Sequence, residues 1–147
     1  LFDNVRFSDS LVPGPHISGR GYTQVHLLAG LEYSGWDDTT ISLEKMTIHI
    51  PDFDTPALDA GIRQNRYRTA LRVARDFLNQ RLCLTLLATI YGEKGQDGAM
   101  GRITAEYEIT DNLEMTAGFA AYASGDLARF DHMGDNDRLY LSIKYSF

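Results

Sequence analysis

Period-two alternation, sustained along most of the chain, is the feature that most restricts what this sequence can fold into. Between Tyr22 and Ser34, Val25, Leu27, Ala29, Leu31 and Tyr33 take one parity, while Gln24, His26, Gly30 and Glu32 take the other. Asn65 to Phe77 sets Tyr67, Thr69, Leu71, Val73 and Phe77 against Arg66, Arg68, Ala70, Arg72 and Asp76, with Arg75 as the exception. Leu82, Leu84, Leu86, Ala88 and Ile90 oppose Cys83, Thr85, Thr89 and Tyr91, and Leu87 breaks the polar side. The pattern recurs in Ile103 to Ile109, in Leu113 to Tyr122 and in Arg138 to Phe147. Successive strand residues point to opposite faces, so each segment reads as a strand with one apolar and one polar face. Thr39 to Ile50 is less regular: Ile41 and Leu43 share one parity, Met46, Ile48 and Ile50 the other, which predicts a bulge near Lys45. Arg66 to Leu82 can also be drawn as a basic amphipathic helix, but Thr69, Val73 and the neighbouring alternation favour a strand.

The connections carry a second pattern. Short turns are expected at Trp36-Asp37-Asp38, near Asn79-Gln80 and around Asp111-Asn112; longer connections run over Pro51 to Gln64, Gly92 to Gly98 and Ser124 to Asn136. Long and short therefore alternate, which in an antiparallel meander gathers every long loop at one end. Membrane β-barrels of bacterial outer membranes have that asymmetry, with short periplasmic turns and longer external loops, whereas a soluble sandwich has no reason for it.

Composition is consistent with such a barrel. Hydrophobic residues make up 44% of 147 residues, yet no apolar run is long enough for a membrane helix. A formal charge of -6 disfavours nucleic acid as a partner. One cysteine, Cys83, excludes an intrachain disulfide framework and reads as an inert small residue, although Arg81 shares its parity. The four histidines, His16, His26, His49 and His132, lack metal-binding spacing. No Gly-x-Ser-x-Gly elbow accompanies His26, so neither a catalytic residue nor a cofactor is expected. The acidic Gly125 to Asp137 loop offers oxygen ligands for a bridging cation, but without EF-hand spacing it reads as a solvated loop. The opening has no Met, basic region or apolar core, so a removed signal peptide or a longer chain is expected. Residues 1–20, with Asp3, Asp9, Pro13 and Pro15, read as an N-terminal loop or weak strand, and residues 21–147 as the barrel segment.

With the short turns set at the periplasmic end, Tyr33, Phe77, Tyr107, Tyr145 and Phe147 fall near that end on the apolar face, with Trp36 in its turn. Amphipathic rings prefer a bilayer interface, which makes these six an expected periplasmic girdle; packing at a core edge is the plainer reading. The polar face then lines a lumen. Arg66, Arg68, Arg102 and Arg138 are expected toward the external half and Arg72 near the middle, with Glu32, Asp76, Glu106, Glu108 and Glu114 toward the periplasmic half. Two readings stay open for these charges: a transverse field that draws anions in, or pairing across adjacent strands that plugs the interior.

The closing run, Leu139, Leu141, Ile143, Tyr145 and Phe147 in alternation, resembles the terminal assembly signal of bacterial outer-membrane barrels, which implies the barrel-assembly machinery as a partner. Four phrases extend the likeness: Gly30-Leu-Glu-Tyr-Ser-Gly35, Asp38-Thr-Thr-Ile-Ser-Leu-Glu44, Arg75-Asp-Phe-Leu-Asn79 and Asn136-Asp-Arg-Leu-Tyr140. They are similar to the C-terminal part of a domain-of-unknown-function family of large proteobacterial outer-membrane proteins. That resemblance implies a longer protein, with neighbours that export lipids or other hydrophobes, and supplies no catalytic residues.

The expectation is an all-β, antiparallel transmembrane β-barrel of about seven or eight strands, or the C-terminal part of a larger one, in a Gram-negative outer membrane. Its expected role is a porin-like pore or transport conduit for small solutes or hydrophobic molecules, without enzymatic activity, with outer-membrane lipid around it. Another chain, or a missing N-terminal part, would complete the barrel, because single-chain bacterial barrels have even strand counts. The alternatives are a soluble small-ligand-binding β-barrel, whose apolar face would point inward, and a structural subunit that docks another chain.

Overall fold

The computed structural model describes residues 2–17, 20–59, 62–127 and 130–147, and side chains for 22–55, 57–59, 62–127 and 130–147. The elements are β1 (Phe2–Ile17), β2 (Arg20–Trp36), β3 (Thr39–His49), α1 (Thr55–Asp59), β4 (Asn65–Phe77), β5 (Leu82–Tyr91), β6 (Gly98–Thr110), β7 (Leu113–Ala123) and β8 (Arg138–Tyr145). The strands pair in sequence order as one antiparallel meander, with β1 on one edge and β8 on the other. The two edges do not pair with each other, so the sheet is open rather than closed into a barrel. The seven strands β2 to β8 carry the described side chains.

Each strand outside β1 coincides with a segment of period-two patterning, including β4, where a helix was the rival. Besides closure of the barrel, one expectation about the strands fails. Pairing of β3 with β2 and with β4 runs without a break through Leu43, Glu44, Lys45 and Met46, so there is no bulge at Lys45. The parity change is instead a change of residue type on a continuous face, with Met46 and Ile48 standing beside Ser42 and Glu44. Register does shift between Tyr33 and Trp36 and between Glu108 and Thr110, next to short turns. The backbone of β1 pairs with β2 from Phe2 to Ile17, with shifts between Phe2 and Asn4 and between Pro13 and His16. Proline has no N–H to give a ladder, which accounts for the second of these.

Antiparallel order places residues 37–38, 78–81 and 111–112 at one end of the sheet and residues 50–64, 92–97 and 124–137 at the other. Residues 128 and 129 of the last connection lie outside the described residues. At the short-turn end, Asp38 takes φ 54° in the two-residue connection between β2 and β3, a left-handed conformation that Asp tolerates. At the other end, the 50–64 connection builds a small core of its own. Ile50, Ala57 and Tyr22 are buried there, with Phe53 and Ile62 against them. Asp54 starts α1 by accepting the Ala57 N–H at 3.2 Å, and its carboxylate also takes the Tyr22 hydroxyl at 2.6 Å.

One face of the sheet leaves large apolar side chains uncovered. Of the exposed large apolar side chains in the strands, Leu27, Leu31, Leu43, Leu84, Leu86, Ile103, Ile109, Phe119, Leu139, Leu141, Ile143 and Tyr145 stand on one face, and Tyr140 on the other. Gln24, Thr89 and Thr104 on the opposite face are buried, as is Ala120. Tyr140 shows how the polar face is packed. It pairs with Gly118, and its ring lies where a glycine Cβ would be. Its hydroxyl reaches across β7 to the Thr104 hydroxyl at 2.9 Å. Gly118→Val should therefore expel the ring and cost about 1–3 kcal/mol of unfolding free energy. Denaturant titration checks this; loss of the effect in a Tyr140→Ala background is expected, and an equal cost there would contradict the contact.

Candidate functional site

Pairing register sorts the charges of the polar face into rows. Arg72 stands opposite Leu87, Leu87 opposite Arg102, Arg102 opposite Ala120, and Ala120 opposite Arg138. Three arginines thus occupy one row on alternate strands, about 9.5 Å apart by strand spacing. The next row toward the short turns on this face is Ala74, Thr85, Thr104, Gly118 and Tyr140, rich in hydroxyls. Beyond it lies Asp76, Cys83, Glu106, Thr116 and Ser142, four residues or about 13 Å from the arginine row. Glu108 and Glu114 face each other one row further. From β4 to β8 the face is therefore layered basic, hydroxylic and acidic along the strands, while Glu32 on β2 and Glu44 on β3 stand outside that order.

Two sequence expectations need correction on placement. Arg72 is not apart from Arg102 and Arg138 but level with them in register, and Arg66 and Arg68 form a separate pair nearer the long connections. Glu32 belongs to the arginine row by register, through Ser42 opposite Arg72, and accepts the Ser42 hydroxyl at 3.2 Å. Cross-strand pairing of the charges is sparse. Among the described residues, no carboxylate lies within salt-bridge distance of Arg66, Arg68, Arg72, Arg102 or Arg138, and the one pair across strands of this face is Lys144 with Glu114 at 3.9 Å. Clefts open between the rows: one is bounded by Glu32, Ser42, Glu44, Ala70, Arg72 and Leu87, another by Arg72, Cys83, Thr85, Arg102, Glu106 and Tyr140. Arg72 borders both.

Aromatic residues stand at both ends of the sheet: Tyr67, Tyr91 and Tyr122 toward the long connections, and a second group at the short turns. Tyr33, Phe77, Tyr107 and Tyr145 lie on the apolar face, and the register shift after Tyr33 brings Trp36 edge-on to the Tyr33 ring at 5.6 Å. Two arginines join them: Arg75 over Phe77 at 5.0 Å and Arg81 over Tyr107 at 5.8 Å. Sequence reasoning left Arg75 as an exception to alternation and linked Arg81 with Cys83. Arg81 in fact donates to the Glu108 carbonyl at 2.9 Å and the Ile109 carbonyl at 2.6 Å, while Cys83 lies 3.9 Å from the Thr85 hydroxyl. Tyr145 and Phe147 stand with ring centres 6.5 Å apart. Asn112 ties this terminus to the β6–β7 turn: its side chain donates to the Ser146 carbonyl at 2.8 Å, and its carbonyl takes the Ser146 N–H at 2.9 Å. Leu139, Leu141, Ile143 and Tyr145, of the terminal alternation, are exposed on an edge strand.

The long connections are knit by a residue that sequence reasoning missed. Arg63 donates to Asp97 and, at 3.3 Å, to Asp126, joining three loops. Asp97 is buried, while Arg63 and Asp126 are solvated. The Asp126 N–H donates to the Gln96 carbonyl at 3.0 Å, and Phe130 packs on Tyr91 with ring centres 4.8 Å apart. Nothing local in the sequence marks Arg63, since its partners are distant in the chain. In the acidic loop Asp137 accepts the Tyr122 N–H at 3.1 Å, and among the described residues no three ligating side chains converge. His26 and His49 lie against Gln24 and Asn65, and His132 beside Asp131.

Compared with models of known families, with curated proteins and with solved structures, the chain matches none. Fold and site stand on their own geometry.

Arg63→Ala leaves Asp97 buried without its cation, a loss of about 1–3 kcal/mol in local stability. Limited proteolysis in the 124–137 connection should accelerate about tenfold, with Arg63→Lys restoring part of the protection. An unchanged cleavage rate would show that the bridge does not hold the loops.

Proposed function

We propose that this chain is a segment of an outer-membrane β-barrel in a Gram-negative bacterium and forms one wall of a pore or transport conduit. The observation that carries this reading is the facing of the sheet: exposed leucine, isoleucine and phenylalanine on one side, and on the other buried threonine and glutamine among charged residues. An exposed apolar surface that spans a whole sheet is unstable in water and favourable against lipid. A soluble small-ligand barrel would need the opposite facing. The aromatic and arginine cluster at the short-turn end is what a bilayer interface favours, with rings at the headgroup level and guanidinium groups reaching toward water.

The open edges set a condition on this reading. Unpaired N–H and C=O groups in hydrocarbon cost several kcal/mol each, so β1 and β8 need strand partners within the bilayer. Further strands or another chain would supply them, and the terminal alternation of β8 suits recognition by the barrel-assembly machinery. The likeness to large proteobacterial outer-membrane proteins fits the same picture. Solutes passing along the polar face would meet the arginine row before the acidic one, which favours anions at the long-loop end.

The test takes the protein from Gram-negative membranes, where detergent should be required for extraction, into planar bilayers. Replacing Arg72, Arg102 and Arg138 by Ala should lower the anion-to-cation permeability ratio severalfold. Full extraction in plain buffer would contradict the membrane assignment; conductance with unchanged selectivity would contradict the conduit along this face.

A further inference from the structure

A cleft of about 400 Å³ lies on the polar face beneath the long connections, away from the arginine row. Met46, Ile48, Arg66, Arg68, Tyr91 and Leu127 border it. Its composition is unusual for a charged face. Register sets Arg66 opposite Ile48, and Arg68 opposite Met46 on one side and Tyr91 on the other. Two guanidinium groups on one strand face, two residues apart and about 7 Å in backbone spacing, repel each other. No carboxylate among the described residues neutralises either one. Asp97 borders the same cleft, but its carboxylate is engaged by Arg63. Arg66 Nε is buried, and no acceptor among the described residues bonds to it. A buried donor left without a partner costs about 1–3 kcal/mol, and an acceptor that enters the cleft recovers it.

We propose that this cleft binds an anionic amphiphile, its carboxylate or phosphate held by Arg66 and Arg68 and its apolar chain laid along Met46, Ile48 and Leu127. The chemistry of each wall supports the match. Arginine presents its donors in a fork that suits both kinds of oxyanion. Methionine is flexible and adapts to chains of differing shape. A site for a simple inorganic anion would not need an apolar wall, and a site for a neutral hydrophobe would not place two unpaired arginines in it. This deepens the conduit reading by naming a solute class, and rests on it only for treating the cleft as a station on a route.

Calorimetric titration of the full chain in neutral-detergent micelles, with empty-micelle titrations subtracted, tests the site without requiring a pore. Octanoate and octyl phosphate are the two probes; acetate, inorganic phosphate and octanol are the controls. Both probes should bind, and each control at least tenfold more weakly. Arg66→Ala with Arg68→Ala should weaken both probes about tenfold or more. Octanol binding as tightly as octanoate, acetate matching octanoate, or full affinity in the double variant would each overturn the proposal. Should the double variant not fold, a series of carboxylates on the unaltered chain decides: affinity that rises with chain length and falls with salt supports the site, and a flat series overturns it. Absence of binding with intact anion selectivity in bilayers would overturn the site and leave the conduit standing.

Discussion

Register is the constraint on which the rest of the structure depends. Side chains alternate with period two, so sliding one strand by a single residue would exchange its faces and send leucines into the polar clefts. Between β3 and β6 the ladders run unbroken, and the pairing extends the same parity to β2, β7 and β8. That uninterrupted ladder separates an apolar surface from a charged one, and it aligns Arg72, Arg102 and Arg138 although they are far apart in the chain. The hydroxyl row, with Tyr140 laid over Gly118 onto Thr104, keeps the arginine and acidic rows apart. Facing, layering and clefts are consequences of the same pairing.

The same ladder creates an obligation. Each strand between β2 and β7 satisfies its neighbours on both sides, but β1 and β8 each present one unpaired edge. In water such edges invite association, and in lipid they are costly. The membrane reading therefore contains its own requirement for additional pairing. β8 expresses this most sharply, because Leu139, Leu141, Ile143 and Tyr145 are exposed along its whole length. The long connections have already met a similar obligation by local means: a small core around Ile50 and the Arg63 bridge cover the end of the sheet they span.

Much of this was legible in the residues. Trp36 to Asp38, Asn79-Gln80 and Asp111-Asn112 lie at the turns where they were expected, because a break in alternation beside Asp, Asn or Gly has few other meanings. The two faces were legible for the same reason. What escaped is what depends on pairs of strands. The parity change at Met46 looked like a bulge, since a single strand cannot show that apolar residues have been placed on a polar face to line a cleft. Arg72 looked separate from Arg102 because depth was counted from turns, whereas register counts along the ladder. Arg63 has no local signature, since its value lies in meeting Asp97 and Asp126 from other loops. The opening segment, with Pro13 and Pro15, resembled a loop by composition, although its backbone pairs as β1.

The central claim, that the leucine- and isoleucine-bearing face meets lipid, is tested most directly by paired spin labels on adjacent residues of β6. With Cys83 replaced by Ser, Ile103→Cys and Thr104→Cys would each be labelled in the membrane-reconstituted protein and probed with oxygen and a water-soluble nickel complex. The account predicts that the label at 103 relaxes with oxygen and is shielded from nickel, while the label at 104 shows no such preference for oxygen. The reverse pattern, or nickel access at both positions, would contradict it.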